Sequence, residues 1–408
     1  MFELKEADRM LAKIKVIGVG GAGCNAVNSM LSSASIFGVE FMAVNTDSQH
    51  LESSLSPIKV QIGAELTKGL GAGANPVIGK QAAIEDKDFL MACLEGADMV
   101  FITAGMGGGT GTGASPVIAS LAKELGILTV AVITKPFYYE GRRRSINAEE
   151  GIKELKRFVD TLIILPNDKI HKVVEKGTPL MKSFAIANDV LRHAIQGISD
   201  VILVPGLINL DFADVKTIME NAGKAVIGLG KGKGESAAIE AAKKAISNPL
   251  LEDSSIEDAK GILINITGGV NMSITDVEIV AAHVHDSANE DANIILGAVL
   301  NPDIEDEISV TVIASGMDSK QKSPFPKLQE SIKTWQPKKE PVIVNSSANS
   351  SLRILSKKLE PPQKSENDMS SAHSEEVKEP ANEKNFVAEP SVAEEDDYDT
   401  PTFLRKKI

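Results

Sequence analysis

Short apolar segments rich in valine and isoleucine recur along the first half of the chain, and segments of helical periodicity separate them. The apolar segments are residues 13–19, 39–45, 98–104, 127–134 and 161–167. Such continuous runs are typical of parallel strands that are buried on both faces of a sheet. Strands that alternate with helices require right-handed crossover connections. The pattern therefore predicts a doubly wound α/β domain of the Rossmann type, with a parallel sheet.

A second set of elements follows a long helical segment at residues 179–203. Four further apolar segments come after it, at 225–229, 261–267, 293–299 and 308–314. We expect two folded domains joined by this central helix, because helical segments also separate the later strands. The first domain is expected at 11–178, after an N-terminal extension at 1–10, and a smaller mixed α/β domain is expected at 204–318.

The composition of the chain changes near residue 318. All 33 glycines lie before this point, whereas nine of the 18 prolines lie after it. Residues 319–360 carry nine basic and three acidic side chains, and residues 361–400 carry three basic and 12 acidic ones. Charged, proline-rich sequence with few apolar residues favours a disordered linker, which we place at 319–396. Residues 397–408 differ, because Tyr398, Phe403 and Leu404 stand beside basic residues, as in a short partner-binding peptide.

Charge and cysteine content narrow the classes of function. The formal net charge of −13 disfavours a general affinity for nucleic acid, whose backbone is also negative. Two cysteines cannot form a disulfide framework, and the first residues lack the order of a secretory signal. Glycine and polar residues interrupt every apolar run before it reaches the roughly 20 residues that span a bilayer. We expect a cytoplasmic protein with no nucleic-acid partner and no direct insertion into a membrane.

Glycine-rich turns follow the first and third apolar segments. Residues 18–25 read GVGGAGCN and satisfy the GxGxxG pattern, and residues 105–113 read GMGGGTGTG. Glycines let backbone N–H groups approach phosphate oxygens, and the helix that follows each turn adds its positive end. The hydroxyls of Thr110 and Thr112 are further donors. The loops therefore predict a site for a di- or triphosphate, although neither has the Gly-Lys-Ser/Thr ending of a P-loop.

These loops alone leave more than one function open. Asp47 ends the second strand about where a dinucleotide enzyme holds its ribose, so a Rossmann-type oxidoreductase is an alternative. A non-catalytic nucleotide-binding scaffold is a third class. Residues 136–144, PFYYEGRRR, add Glu140, which can accept from ribose hydroxyls, and three arginines for anionic oxygens. A dehydrogenase would gain nothing from the acidic segment at 209–215 in its second domain.

In their order, these motifs resemble those of the bacterial tubulin-like cell-division GTPases, the FtsZ family. The resembling segments are 18–27, 71–76, 107–113, 136–144, 165–168, 185–191 and 209–215. The resemblance extends over about residues 10–318 and resumes at the end of the tail. It implies a tubulin-like fold and a protein that hydrolyses GTP to GDP and phosphate. It also implies filaments of the division ring at mid-cell.

The same resemblance assigns the residues that would contact GTP. The phosphates would be held by Gly21, Ala22, Gly23, Cys24 and Asn25 of the first loop and by Gly109, Thr110 and Gly111 of the second. Glu140 and Arg144 would contact the ribose and phosphate region, and Asn188 would read guanine. Phe184 resembles the residue that stacks on the base, and Asn167 a polar contact beside it. Bound nucleotide is then expected to slow thiol labelling of Cys24.

The segment NLDFADVKTIMENAG can be interpreted in two ways. Locally it is a capped helix with Asp211 as N-cap, Asp214 in the first turn and Gly223 as C-cap. The resemblance implies that this loop inserts over the nucleotide of the next subunit, where Asn209, Asp211 and Asp214 orient the water that attacks the γ-phosphate. It further implies a head-to-tail homopolymer, Mg²⁺ at the phosphates, and membrane-tethering division proteins bound by residues 398–408.

Overall fold

One ten-stranded sheet runs through the described residues, which are 12–33, 36–169, 178–204, 206–208, 210–248, 256–302 and 304–317 of this computed structural model. Its strands are β1 (Ile14–Val19), β2 (Val39–Asn45), β3 (Ile58–Gln61), β4 (Met99–Gly105), β5 (Leu128–Lys135), β6 (Thr161–Pro166), β7 (Gly223–Lys233), β8 (Gly261–Gly268), β9 (Asn293–Leu300) and β10 (Glu307–Ser315). Their spatial order is β3-β2-β1-β4-β5-β6-β7-β10-β8-β9.

The first six strands are all parallel, which confirms the predicted Rossmann-type sheet. The five strands predicted for this half each match an observed strand within two residues at either end. The edge strand β3 was missed, because it has only four residues and a single fully buried one, Val60. Such a strand has no continuous apolar run to mark it.

Helices cover both faces of this sheet. The described helices are α1 (Gly20–Ser33), α2 (Ser48–Glu52), α3 (Ala64–Thr67), α4 (Pro76–Glu85), α5 (Lys87–Leu94), α6 (Thr110–Glu124), α7 (Arg142–Leu155), α8 (Leu180–Leu203), α9 (Phe212–Met219), α10 (Ala237–Ile246) and α11 (Ile274–Asp286). Ile14 and Val16 of β1 pack in one core with α1 and α8, and Ile17 and Val19 pack in the other with α4 to α7. The alternation of strand side chains thus places a helical layer on each face.

The second half of the sheet is mixed, as predicted. β7 pairs parallel with β6 and antiparallel with β10, and β8 pairs antiparallel with β10 and parallel with β9. Helices α10 and α11 cover one face with a core of small and branched residues. The central helix α8 covers the other face, since Ile195 and Ile198 belong to the same core as Ile227 and Ile313. The sheet and this core therefore continue from the first half of the chain into the second.

Helix α9 is shorter than the sequence predicted. Asp211 is its N-cap residue and Asp214 lies in its first turn, but Glu220 is its C-cap and Gly223 already begins β7. The prediction of Gly223 as C-cap was wrong, because Asn221 adopts a left-handed φ of 52° two residues earlier and ends the helix there. The side chain of Asp211 makes no capping hydrogen bond, so capping does not occupy its carboxylate.

Two further predictions concern the membrane and the tail, and the second stays a prediction. Among the described residues, no helix combines the length and the apolar character needed to cross a bilayer. The proposed linker at 319–396 and the peptide at 397–408 lie outside the described residues.

Candidate nucleotide-binding site

A cleft of about 510 Å³ opens at the carboxyl ends of the parallel strands. This is the edge at which open α/β sheets bind ligands, because the loops that leave the strands meet there. Residues at or directly after the ends of β1, β4, β5 and β6 line it, namely Val19, Gly105, Thr134 and Asn167. The remaining walls come from α1, α2, α6, α7 and α8 and from the turns that follow β4 and β5. The fold thus brings loops that are far apart in sequence to one concave surface.

The two glycine loops touch each other at the floor of the cleft. A Cβ atom on Gly20, which has a φ of +70°, would lie 2.7 Å from the backbone nitrogen of Gly111. Helix α1 begins at Gly20 and α6 begins at Thr110, and Gly21, Ala22 and residues 109–111 line the cleft. The first N–H groups of a helix have no partner within the helix. Two such helix starts therefore face one space, which suits the charge of a polyphosphate.

The threonine hydroxyls of the second loop are already engaged. The hydroxyl of Thr110 is 2.6 Å from that of Thr46, and the hydroxyl of Thr112 accepts the N–H of Gly107 at 2.8 Å. Thr110 still lines the cleft, whereas Thr112 is buried behind it. Thr112 therefore holds the loop in shape, and backbone groups form most of its inner surface.

Glu140 and Arg144 lie together at the mouth of the cleft. One carboxylate oxygen of Glu140 accepts the backbone N–H of Phe137 at 2.8 Å, and the other accepts from the Arg144 guanidinium at 2.5 Å. These bonds fix the carboxylate at the end of the short 3-10 turn Tyr138–Glu140. An arginine has five N–H donors, so Arg144 keeps donors for a ligand. The pair presents one acceptor group and one cation side by side.

One face of helix α8 forms the wall at the other end. Phe184, Ala187, Asn188 and Leu191 follow the i, i+3, i+4, i+7 spacing of a single helix face, and all four line the cleft. Asn167, which also lines the cleft, is 8% exposed, and its Oδ1 atom has no hydrogen-bond partner in the protein. A buried acceptor without a partner is costly unless a ligand or water satisfies it. An aromatic ring beside two amides suits a flat heterocycle with polar edges.

Two predicted phosphate residues, Gly23 and Cys24, do not line the cleft. Cys24 is fully buried, with its Sγ atom 3.7 Å from the carbonyl oxygen of Gly18 and 3.8 Å from that of Val44. Burial raises the pKa of its thiol to about 12. Gly23 packs on β4, since a Cβ there would lie 2.4 Å from the Thr103 carbonyl oxygen. The remaining predicted binding residues, Gly21, Ala22, Asn25, Gly109, Thr110, Gly111, Glu140, Arg144 and Asn188, line the cleft, as do Phe184 and Asn167.

The acidic residues predicted for catalysis are not part of this cleft. Asp211 and Asp214 are exposed at the start of α9, and neither lines the cleft of their own chain. Asn209 lies outside the described residues.

One cleft residue, His50, was missed by the sequence analysis. It lies on the five-residue helix α2, where no motif marks it, and its ring lines the cleft. The signal was its position just beyond the carboxyl end of β2.

Asp47, the candidate ribose ligand of a dinucleotide enzyme, instead caps α2, with its carboxylate accepting the N–H of His50 at 3.0 Å. Asp47 does not line the cleft, and the oxidoreductase alternative is not supported.

Comparison with known proteins gives two family matches and several structural neighbours. Residues 13–175 match the model of the Tubulin/FtsZ family GTPase domain, and residues 223–318 match that of the FtsZ family C-terminal domain. An FtsZ dimer from M. jannaschii is similar at a TM-score of 0.73 and 42% identity, over 76% of this chain and 90% of that one. Two proteins of Haloferax volcanii share the fold at lower identity.

The first of these is a GTPγS-bound protofilament of CetZ2, with a TM-score of 0.63 and 22% identity, over 74% of this chain and 92% of that one. The second is a GDP-bound monomer of CetZ1, with a TM-score of 0.65 and 21% identity, over 74% and 94%.

The sequence predicted that bound nucleotide would slow thiol labelling of Cys24. Its burial predicts instead that nucleotide makes no difference to this labelling. At pH 8 a thiol whose pKa is about 12 stays protonated, and the thiolate is the reactive form. We expect a thiol reagent to modify the half-buried Cys93 in the native protein and to reach Cys24 only after unfolding, with or without nucleotide. Mass spectrometry of labelled peptides measures this, with Cys93→Ser as the control that should lose native labelling. Rapid labelling of Cys24 in the folded protein would contradict the structure.

Proposed function

The chain belongs to the tubulin/FtsZ family of GTPases, in its FtsZ branch, and from this premise we propose that it assembles head to tail and hydrolyses GTP at each junction. GTP hydrolysis itself follows from the family. The location of the complete catalytic site, between two copies of the chain, is the proposal. A contact of this kind is heterologous, so it continues into a filament when the rotation between subunits does not close a ring.

The observation that carries the proposal is the division of chemical groups between two surfaces. Among the described residues that line the cleft, the carboxylate present is Glu140, and Arg144 and Phe137 already bind it. Asp211 and Asp214 are exposed carboxylates on α9, and no capping bond engages Asp211. Phosphoryl transfer depends on positioning a nucleophile and stabilising charge. A second copy that brings α9 over the cleft would supply acidic groups to orient the attacking water.

The binding roles follow from the same geometry. Gly21, Ala22 and Asn25 of the first loop and residues 109–111 of the second would hold the phosphates, with Arg144 as a cation beside them. Glu140 would accept from the ribose hydroxyls, and Phe184 would pack on the base. The amide of Asn188 can match the donor and acceptor edge of guanine, and the unpartnered Oδ1 of Asn167 is suited to a donor of the nucleoside.

The metal of such a site would be held chiefly by the substrate. No cluster of three or more His, Cys, Asp or Glu side chains that could hold a metal exists among the described residues. Mg²⁺ keeps several waters and binds phosphate oxygens readily, so it fits a site of backbone amides without a protein cage. When bound, it would offset phosphate charge.

In the cell, we place the filament in the cytoplasmic division ring at mid-cell. Among the structural neighbours, an FtsZ is described as a dimer and a CetZ as a protofilament, which supports assembly as a common property of the fold. The residues at 398–408 would bind membrane-tethering division proteins through Phe403 and Leu404, with Arg405 adding charge. The linker before them would set the reach of this peptide.

Activity should depend on protein concentration. If α9 of a neighbour completes the site, phosphate release per subunit should be near zero below a threshold concentration and rise above it. The measurement is steady-state phosphate release at fixed GTP over a series of protein concentrations. GTP binding, measured over the same series, should show no threshold. A constant activity per subunit would contradict the shared site.

Removal of either acidic side chain should separate binding from turnover. Asp211→Ala and Asp214→Ala should keep the affinity for GTP and lower turnover by about 100-fold or more, the range for loss of a group that activates a nucleophile. A matched control is Asp88→Ala, which removes another exposed carboxylate from the first turn of a helix, α5. Loss of GTP binding in either variant would show that the residue acts within its own subunit.

Removal of the tail peptide should affect recruitment alone. Deletion of 398–408, or the pair Phe403→Ala and Leu404→Ala in the full chain, should leave GTPase activity unchanged and abolish co-sedimentation with vesicles that carry a tethering protein. Ser370→Ala in the linker is the control. A loss of assembly on deletion would show that the peptide contributes to the filament.

A further inference from the structure

His50 lies at the phosphate end of the cleft, between the first glycine loop and strand β2. Its Nε2 atom is 3.0 Å from Oδ1 of Asn25, a cleft residue of helix α1. Its Nδ1 atom is 3.4 Å from Nδ2 of Asn45, the last residue of β2. The ring also lies against the loop itself, since a Cβ on Gly21 would be 3.2 Å from its Cε1 and Nδ1 atoms. The imidazole thus connects the buried sheet to the loop.

The orientation of Asn45 is set by the backbone. Its Oδ1 atom accepts the N–H of Thr46 at 2.9 Å and that of Asp47 at 3.4 Å. The opposite orientation would turn its NH₂ group toward these two N–H donors. Asn45 is 2% exposed, so water cannot take over either role. Nδ2 of Asn45 must therefore face the ring as a donor.

The NH₂ group of Asn45, fixed as a donor, determines the tautomer of the neutral His50 ring. A neutral imidazole has one donor nitrogen and one acceptor nitrogen. Because Asn45 donates to Nδ1, the proton lies on Nε2, and this N–H donates to Oδ1 of Asn25. Asn25 must then present its own NH₂ group on the other side, where the cleft is. Each group in the series is oriented by the one before it, beginning at the backbone of Thr46.

We propose that His50 is a positioning residue, which with Asn45 holds the side chain of Asn25 so that its NH₂ group donates to a phosphate oxygen of the bound nucleotide. The inference rests on the proposed function, since it takes the ligand of the cleft to be GTP or GDP. Among the described residues that line the cleft, Arg144 is the permanent cation, and it is shared with Glu140. A neutral donor held in place is therefore a substantial part of phosphate recognition by side chains.

A packing role for His50 alone makes different predictions. If the ring only supports Gly21, its loss should disturb the cleft for every ligand. If it positions Asn25, its loss should weaken ligands that carry phosphates and leave guanosine unaffected. Glutamine can place an N–H donor near the position of Nε2, so it should restore the function, whereas alanine should not.

The test measures the binding of guanosine, GDP and GTP by competition, with wild type, His50→Ala, His50→Gln, Asn25→Ala and the double alanine variant. We expect His50→Ala to bind GDP and GTP about tenfold more weakly, as for loss of one hydrogen bond to a charged group, and guanosine as wild type does. His50→Gln should be close to wild type. The double variant should bind no more weakly than Asn25→Ala, because each change abolishes the same donor, the positioned NH₂ group of Asn25.

Several results would overturn the inference. They are wild-type affinity of His50→Ala for GTP, equal weakening of guanosine, or additive effects in the double variant. Nitrogen-15 NMR of the ligand-free wild type gives a check that needs no variant to fold. Neutral His50 should carry its proton on Nε2, and a proton on Nδ1 would exclude the hydrogen-bond series from Asn45 through His50 to Asn25. Failure of the wild type to bind GTP would instead refute the proposed function.

Discussion

The parallel pairing of β1 with β4 is the interaction on which the cleft depends. The two strands are in register up to Val19 and Ala104, so the loops that follow them leave the sheet at the same level. Helices α1 and α6 then begin beside each other, and Gly20 can approach the backbone of Gly111 because it has no side chain. The same close packing recurs behind the loop, where a Cβ on Gly113 would lie 2.0 Å from the Pro76 carbonyl oxygen. The shape of the cleft floor is therefore a property of the sheet as well as of the loops.

Helix α8 relates the cleft to the rest of the molecule. Its first turns carry Phe184 and Asn188 into the cleft, and its later turns pack against both halves of the sheet. The contact with the second half is close, because a Cβ on Gly197 would lie 2.8 Å from the side chain of Thr311, and the Gly197 carbonyl accepts from Asn265. Because α8 packs along both halves of the sheet, it fixes the positions of Phe184 and Asn188 relative to β8 and β10.

The sequence predicted the parts of this protein that leave a periodic or compositional signal. Buried parallel strands are continuous apolar runs, and glycine loops are visible as composition, so the sheet and the floor of the cleft could be predicted. The direction of a side chain within a loop leaves no such signal. Cys24 was expected to face the phosphates, but its side chain is buried against the carbonyl groups of β1 and β2. His50 was missed because its role depends on Asn45 and Asn25, and only the folded sheet brings these three residues together. The end of α9 was misplaced because a left-handed asparagine ended the helix before the glycine could.

The floor of the cleft has a consequence for mutation. At the glycines of the two loops the available donors are main-chain N–H groups, which no change of side chain deletes. A substitution at Gly20 or Gly109 can act in one direction, by adding bulk where a Cβ has no space. Genetic variants with partial activity should therefore be found mainly among the cleft residues whose side chains can be shortened or exchanged, such as Asn25, Glu140 and Asn188. At these tightly packed glycines, heritable change should be close to all or none.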